Sequence, residues 1–140
     1  MKLIHYSFFS FIILLNISFL SSCSDVKTFT CTDITIANNY NSSEQNRVKE
    51  NALGTKADIT FYDNSIRVEI YNNSGKSDFV LDKIDSEHYV KQINNERLEI
   101  NFETFLGYVY SFKMSFWLKK PNSYSYEFVE TMTFERNKFN

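Results

Sequence analysis

Glycine, proline, histidine and cysteine are all scarce in this chain of 140 residues, with three, one, two and two copies. Each shortage excludes something. His5 lies in an apolar N-terminal run, so His88 is the only histidine left to the remainder. A zinc site built from histidines needs more than one, and Cys23 and Cys31 form no spaced pair to replace them. Gly54, Gly75 and Gly107 are too far apart to build a glycine-rich phosphate loop. Basic clusters are missing too: 15 Lys and Arg are scattered among 17 Asp and Glu, for a net charge of −2. Nucleic acid binding depends on neutralising phosphates with such residues, so no nucleic acid partner is expected.

The inventory for catalysis is equally thin. A Ser–His–acid triad would have to use His88, and no nucleophile motif stands near it. It reads as a structural or solvent-facing histidine. Asp82, Asp85 and Glu87 lie close together but without the spacing and glycine of a calcium loop, so they read as a solvated turn. No catalytic residue, metal or cofactor is assigned. The chain reads as a non-enzyme.

What the chain does have begins with its first 25 residues. Lys2 precedes an apolar run from Phe8 to Leu20, interrupted by Ser10, Asn16 and Ser18, and the run ends in Ser21-Ser22-Cys23-Ser24-Asp25. A basic start, a short apolar stretch and small residues before a cut define an export signal. A membrane-spanning helix needs about 20 predominantly apolar residues. Leu20-Ser21-Ser22-Cys23 resembles the lipobox of bacterial lipoproteins, in which the cysteine is acylated and becomes the new N-terminus. An ordinary cleaved signal with an incidental cysteine is the competing reading. The resemblance implies a signal peptide over 1–22, and a lipidated Cys23 with a short tether over 23–28. A single all-β domain follows over 29–140. Two or more acyl chains hold a protein firmly where one holds it marginally, so the diacyl or triacyl cysteine implied by the family is a stable anchor in the membrane. Ser24 to Thr28 would span at most about 18 Å, which keeps the domain close to the bilayer. Ser24-Asp25 resembles, in part, the acidic surface-export tags of Bacteroidota lipoproteins. That implies the cell outer membrane, with the outer surface favoured over the periplasmic leaflet.

Removing 1–22 leaves 118 residues, enough for one domain. Fourteen basic residues then face 17 acids, a net charge of −3. With Cys23 acylated, Cys31 is alone and no internal disulfide forms. It reads as a small buried apolar residue, with a reactive thiol as the alternative.

Period-two alternation, the mark of half-buried strands, runs through almost all of this portion. It predicts eight strands: Phe29–Ile36, Asp58–Tyr62, Ser65–Tyr71, Ser77–Lys83, His88–Ile93, Arg97–Phe102, Tyr108–Leu118 and Tyr124–Arg136. Turn chemistry separates them at Asp63-Asn64, Asn72 to Gly75, Asp85-Ser86, Asn94-Asn95 and Pro121-Asn122. With glycine so scarce, asparagine is expected at the left-handed turn positions. The polar segment 38–54 breaks the pattern. It reads as either a mobile loop or a short helix laid over an end of the sheet, capped by Ser42 or Ser43 and stopped by Gly54. Long loops often act as lids or binding loops, and a plain solvated linker is the favoured role.

Along the last two strands, Tyr108, Tyr110, Phe112, Met114, Phe116 and Leu118 share one face. Tyr124, Tyr126, Phe128, Glu130, Met132 and Phe134 follow on the same face, and Trp117 falls on the polar one. One face wants a core and the other water, as in an antiparallel meander. Eight such strands close into a barrel whose interior fits side chains or one small ligand. Strand count and order resemble the lipocalin-like barrels, although their Gly-x-Trp motif is missing. A curled open sheet or two-layer sandwich is the alternative, because closure commonly uses glycine kinks. No Cys–Trp–Cys spacing supports an immunoglobulin sandwich.

Two functions fit. A barrel held at the membrane could bind an apolar small molecule or lipid, with Tyr110, Phe112, Tyr126, Phe128 and Glu130 as candidate ligand-binding residues. Alternatively the domain docks on another envelope protein or an extracellular partner, which an exposed Trp117 or a bare strand edge would favour. Glu130 is the one acid in the apolar row. Either a bulge turns it outward, or the sheet bends into water there, or it points into a cavity. Pairing Leu118 with Tyr124 would set it opposite Phe112.

The lipobox makes the first prediction. Metabolic labelling with a fatty-acid analogue should mark the protein, and Cys23→Ala should abolish the label; equal labelling of the variant would refute the anchor.

Overall fold

The computed structural model describes residues 25–38 and 40–137. Cys23 lies outside the described residues. Eight strands form: β1 (Val26–Ile36), β2 (Lys56–Phe61), β3 (Ser65–Asn72), β4 (Gly75–Lys83), β5 (His88–Ile93), β6 (Glu96–Phe105), β7 (Tyr108–Lys119) and β8 (Tyr126–Arg136). One helix, α1 (Ser42–Ala52), joins β1 to β2. Each strand pairs antiparallel with the next, and β8 pairs back onto β1 from Phe29↔Arg136 to Ile36↔Glu130. That last ladder closes the barrel. It rules out the open sheet and the two-layer sandwich.

Closure is achieved without glycine. Register steps leave Thr32 in β1, Tyr110 in β7 and Val129 in β8 without a partner. A bulge bends and twists its strand, and the extra residue reverses which face the following side chains meet. In β1 the inward row therefore passes from Phe29 and Cys31 to Ile34 and Ile36. In β7, Val109 turns toward the core and leaves Tyr108 and Tyr110 exposed. In β8, Phe128 leaves the inward row to pair with Trp117. The alternation expected for these two strands holds from Phe112 to Phe116 and from Glu130 to Phe134, and the bulges break it on either side.

β1 starts three residues before the expected Phe29, with Val26, Lys27 and Thr28 paired to Thr60, Ile59 and Asp58. The chain between Cys23 and the barrel is correspondingly shorter than the expected tether.

Of the two forms expected for this segment, residues 42–52 take the helix rather than the loop, and its cap is Asn41 in place of Ser42 or Ser43. The Asn41 side chain accepts from the Glu44 amide at 2.9 Å, while the Glu44 carboxylate accepts from the Asn41 amide at 3.3 Å. This reciprocal box satisfies two otherwise orphaned donors. Gly54, at φ +81°, takes the left-handed step after the helix. Its amide donates to Cys31 O at 3.0 Å, and the Cys31 amide donates to Thr55 O at 2.8 Å. Those two bonds pin the end of α1 beside the β1 bulge.

The barrel has two unlike ends. β1 starts at one end, together with the β2–β3, β4–β5 and β6–β7 turns; α1 and the other three turns occupy the opposite end. An aromatic core fills the first half. Phe112 stacks on Phe134 at 4.6 Å, meets Phe29 edge-on at 5.0 Å and touches Phe102 at 5.7 Å. Tyr89 and Phe61 extend the cluster through Phe102. Cys31, Ile59, Ile66, Val68, Leu81 and Ile100 complete it. At the helix end, Ile34 and Ile36 pack with Ala52 and Val48 of α1.

One seam is thin. β4 and β5 share only Asp82↔Val90 and Lys83↔Tyr89, whereas β3 and β4 pair along their full length. The wall parts between Gly75–Leu81 and Lys91–Ile93.

Phe112 is wholly buried and touches three rings. Phe112→Ala should lower stability by about 3–5 kcal/mol, read from denaturant unfolding. Tyr124→Ala, at a nearly fully exposed site, should change it by no more than about 0.5 kcal/mol.

Candidate functional site

Because the interlocked ring cluster stops halfway along the barrel, the helix half is hollow. A cavity of about 460 Å³ lies there, open beneath α1. Its apolar wall comes from Ile34, Ile70, Phe79, Leu98, Phe116 and Met132, with Met114 beside the aromatic core. Val48, Asn51 and Ala52 close it from the helix. Ser77 and Phe79 on one lip of the β4–β5 seam, and Lys91 and Ile93 on the other, also line it. The cavity therefore reaches the parted wall as well as the barrel end.

The charged groups at the wall are Glu130, Lys91 and Glu96. Lys91 and Glu96 enter through their places on β5 and β6, where Lys91 pairs with Leu98 and Glu96 with Ile93. Glu130 is set between Ile36 on β1 and Phe116 on β7, four residues along β7 from the expected partner Phe112. A bulge does form beside it, but at Val129, and the register leaves Glu130 facing inward. Burial pushes its carboxyl above the ordinary glutamate pKa of 4.5, and neither Lys91 nor any other described cation offsets that shift. A half-buried carboxylate in apolar surroundings favours the neutral form and can then donate a hydrogen bond as well as accept one.

The five residues expected to bind a ligand are not brought together. Glu130 lines the cavity; Phe112 is locked in the aromatic core. Tyr110 is the unpaired residue of the β7 bulge and is half exposed. Tyr126 and Phe128 stand outside the barrel. There Trp117 meets Phe128 edge-on at 5.4 Å, and the Arg97 guanidinium lies 5.7 Å from the Tyr126 ring. Trp117 is thus covered by the neighbouring strand, and its buried Nε1 has no hydrogen-bond partner. The cavity residues of α1 were hidden in a segment that reads as polar. The Asn41-Ser42-Ser43-Glu44 box was the signal that could have found them.

Other candidates resolve into structural roles. The Cys31 thiol is buried, and that burial pushes its pKa up to about 11, which suppresses the thiolate needed for reactivity. Asp85 accepts the amides of Glu87 and His88 at 2.9 Å each, so it shapes the β4–β5 turn. His88 Nε2 is buried 4.0 Å from Glu99 Oε2, too far for a hydrogen bond. Among the described residues no three potential metal ligands cluster.

The Glu130 carboxyl sets a pH dependence. Its folded pKa is raised, so the folded state binds a proton more tightly than the unfolded chain, and stability falls as pH climbs through the window above 4.5. Glu130→Gln removes that penalty. Its melting temperature should match the unchanged protein near pH 4 and exceed it by a few degrees at pH 7. A difference independent of pH would place the carboxylate in water. Compared with family models, curated proteins and solved structures, the chain matches none.

Proposed function

We propose that this protein is a lipid-anchored bacterial envelope lipoprotein whose lipocalin-like barrel binds a small apolar molecule without catalysing a reaction. The observation that carries the reading is the cavity: hollow at one end, sealed by phenylalanines at the other, and holding in Glu130 a half-buried carboxyl that no protein group satisfies. Its volume falls in the usual range for small-molecule sites, about 300–1,000 Å³. A ligand of matching chemistry has an apolar body and a hydroxyl, amide or amine that meets Glu130. The anchor rests on Leu20-Ser21-Ser22-Cys23, and the proposed location is the outer membrane, facing outward. His88 near Glu99, with no serine or cysteine nucleophile beside it, supports a non-catalytic role.

A second reading has its own observation. The unpaired side of β4 along Gly75–Leu81 is a bare edge in the barrel wall, and such an edge can accept an extended segment of a partner protein.

The cavity reading is tested with an apolar fluorescent probe. The full-length protein should bind it saturably, and Ala52→Phe, which adds bulk at the cavity from α1 and changes no strand residue, should weaken binding about tenfold (about 1.4 kcal/mol). Unchanged affinity in that variant, or no saturable binding in the unchanged protein, would reject the cavity as the site.

A further inference from the structure

The β6–β7 turn departs from the chemistry of the other left-handed positions. Phe105 pairs with Tyr108 across Leu106-Gly107, and both turn residues have positive φ, +49° and +79°. A two-residue hairpin with that geometry favours asparagine, aspartate or glycine. The chain meets this demand elsewhere with Asn94, Asn122, Gly54 and Gly75. Here a leucine occupies the left-handed region, at a cost of about 1–2 kcal/mol. Its side chain is 81% exposed, so no contact within the domain offsets that cost.

Phe105 and Tyr108 flank it at 70% exposure each, and no residue from Thr104 to Tyr110 carries a charge. The tip also stands clear of the rim. β7 last meets β8 at Ser111, and β5 last meets β6 at Asn101. Phe102 and Val109 still reach the core, and the Thr104 hydroxyl donates to the Glu87 carboxylate at 2.5 Å, so the projecting part is the turn itself, Phe105 to Tyr108. At the helix end, by contrast, the exposed Tyr71 and Tyr124 each lie beside an ammonium group, Lys76 and Lys119, at 5.5 Å.

This tip is at the end of the barrel where β1 starts. Cys23 precedes Val26 by three residues, about 10 Å of extended chain. We propose that Phe105, Leu106 and Tyr108 form a wedge that enters the interfacial region of the bilayer holding the Cys23 anchor. The wedge seats the barrel with its cavity mouth turned away from that membrane. The inference rests on the lipid-anchor reading. Phe and Leu supply apolar area to the acyl boundary, and the Tyr108 ring suits the headgroup level. Asp63, Asp85 and Glu87 occupy the neighbouring turns at the same end. They hold those turns in water and confine entry to the wedge.

The test uses the full-length lipidated protein in phosphatidylcholine vesicles with or without brominated acyl chains. With Trp117→Phe as background, Phe105→Trp and, separately, Leu106→Trp should show blue-shifted emission quenched several-fold by the bromines. Trp117 in the unchanged protein, near the opposite end, should not be quenched. Leu106→Asn in the Phe105→Trp background separates contact from folding. It relieves the left-handed strain, so its denaturant midpoint should be no lower, while quenching should drop at least twofold. Water-like, unquenched emission from vesicle-bound tip variants overturns the wedge and leaves the anchor standing. Quenching indifferent to Leu106→Asn also overturns it. Failure of the unchanged protein to float with vesicles overturns the anchor, and the wedge with it.

Discussion

The packing of Phe112 against Phe29, Phe102 and Phe134 is the contact on which the remainder of the molecule depends. These rings come from β1, β6, β7 and β8, the strands that carry the closure. Aromatic pairs at such spacings add to the burial of their own area, so the ring cluster fixes register across the seam where the last strand meets the first. It also partitions the interior. Eight strands enclose roughly enough space for side chains or for one small ligand. Here the first half is filled by interlocked rings, while in the second Phe79 and Phe116 line the wall and leave the centre open. The cavity is a consequence of where the interlocked ring cluster stops.

Much of this was legible because a pleated strand exposes alternate residues to one medium and the next to another. Val68, Ile70 and Ile66 alternate with Arg67 and Glu69 whether or not the fold is known, and every predicted strand is present. The bulges were not legible. Thr32, Tyr110 and Val129 carry no local mark, since a bulge at a non-glycine residue answers to the curvature of the whole barrel. One extra residue in β8 was enough to send Phe128 outside while Glu130 stayed in. The β4–β5 seam was equally hidden, because it reflects the splay of two strands and not the composition of either. The helix differs: its Asn41–Glu44 box is local chemistry, visible in sequence but outweighed there by the polarity of the segment around it.

Glu130 poses the sharpest question of energetics. The position lies between Phe116 and Ile36 with Met132 next on its own strand, where an apolar residue would cost nothing. A carboxyl there opposes folding at neutral pH. An arrangement that lowers stability without a structural partner is best understood through something outside the folded chain. A ligand donor group reaching Glu130 would satisfy the carboxylate and recover part of that penalty on binding.

The same logic joins the two ends of the barrel. Leu106 is strained and puts apolar surface in water where asparagine would do neither, and Glu130 carries a desolvated charge where leucine would carry none. One disfavoured residue is apolar and faces outward; the other is polar and faces inward. Each is paired with the medium that would relieve it: hydrocarbon for the wedge, a polar ligand group for the cavity. The aromatic core stands between them and isolates the cavity from the proposed membrane-facing tip. On the proposed reading a ligand would reach Glu130 beneath α1 or through the β4–β5 seam, from the aqueous side, and the acyl chains of an anchoring leaflet would not compete for the site.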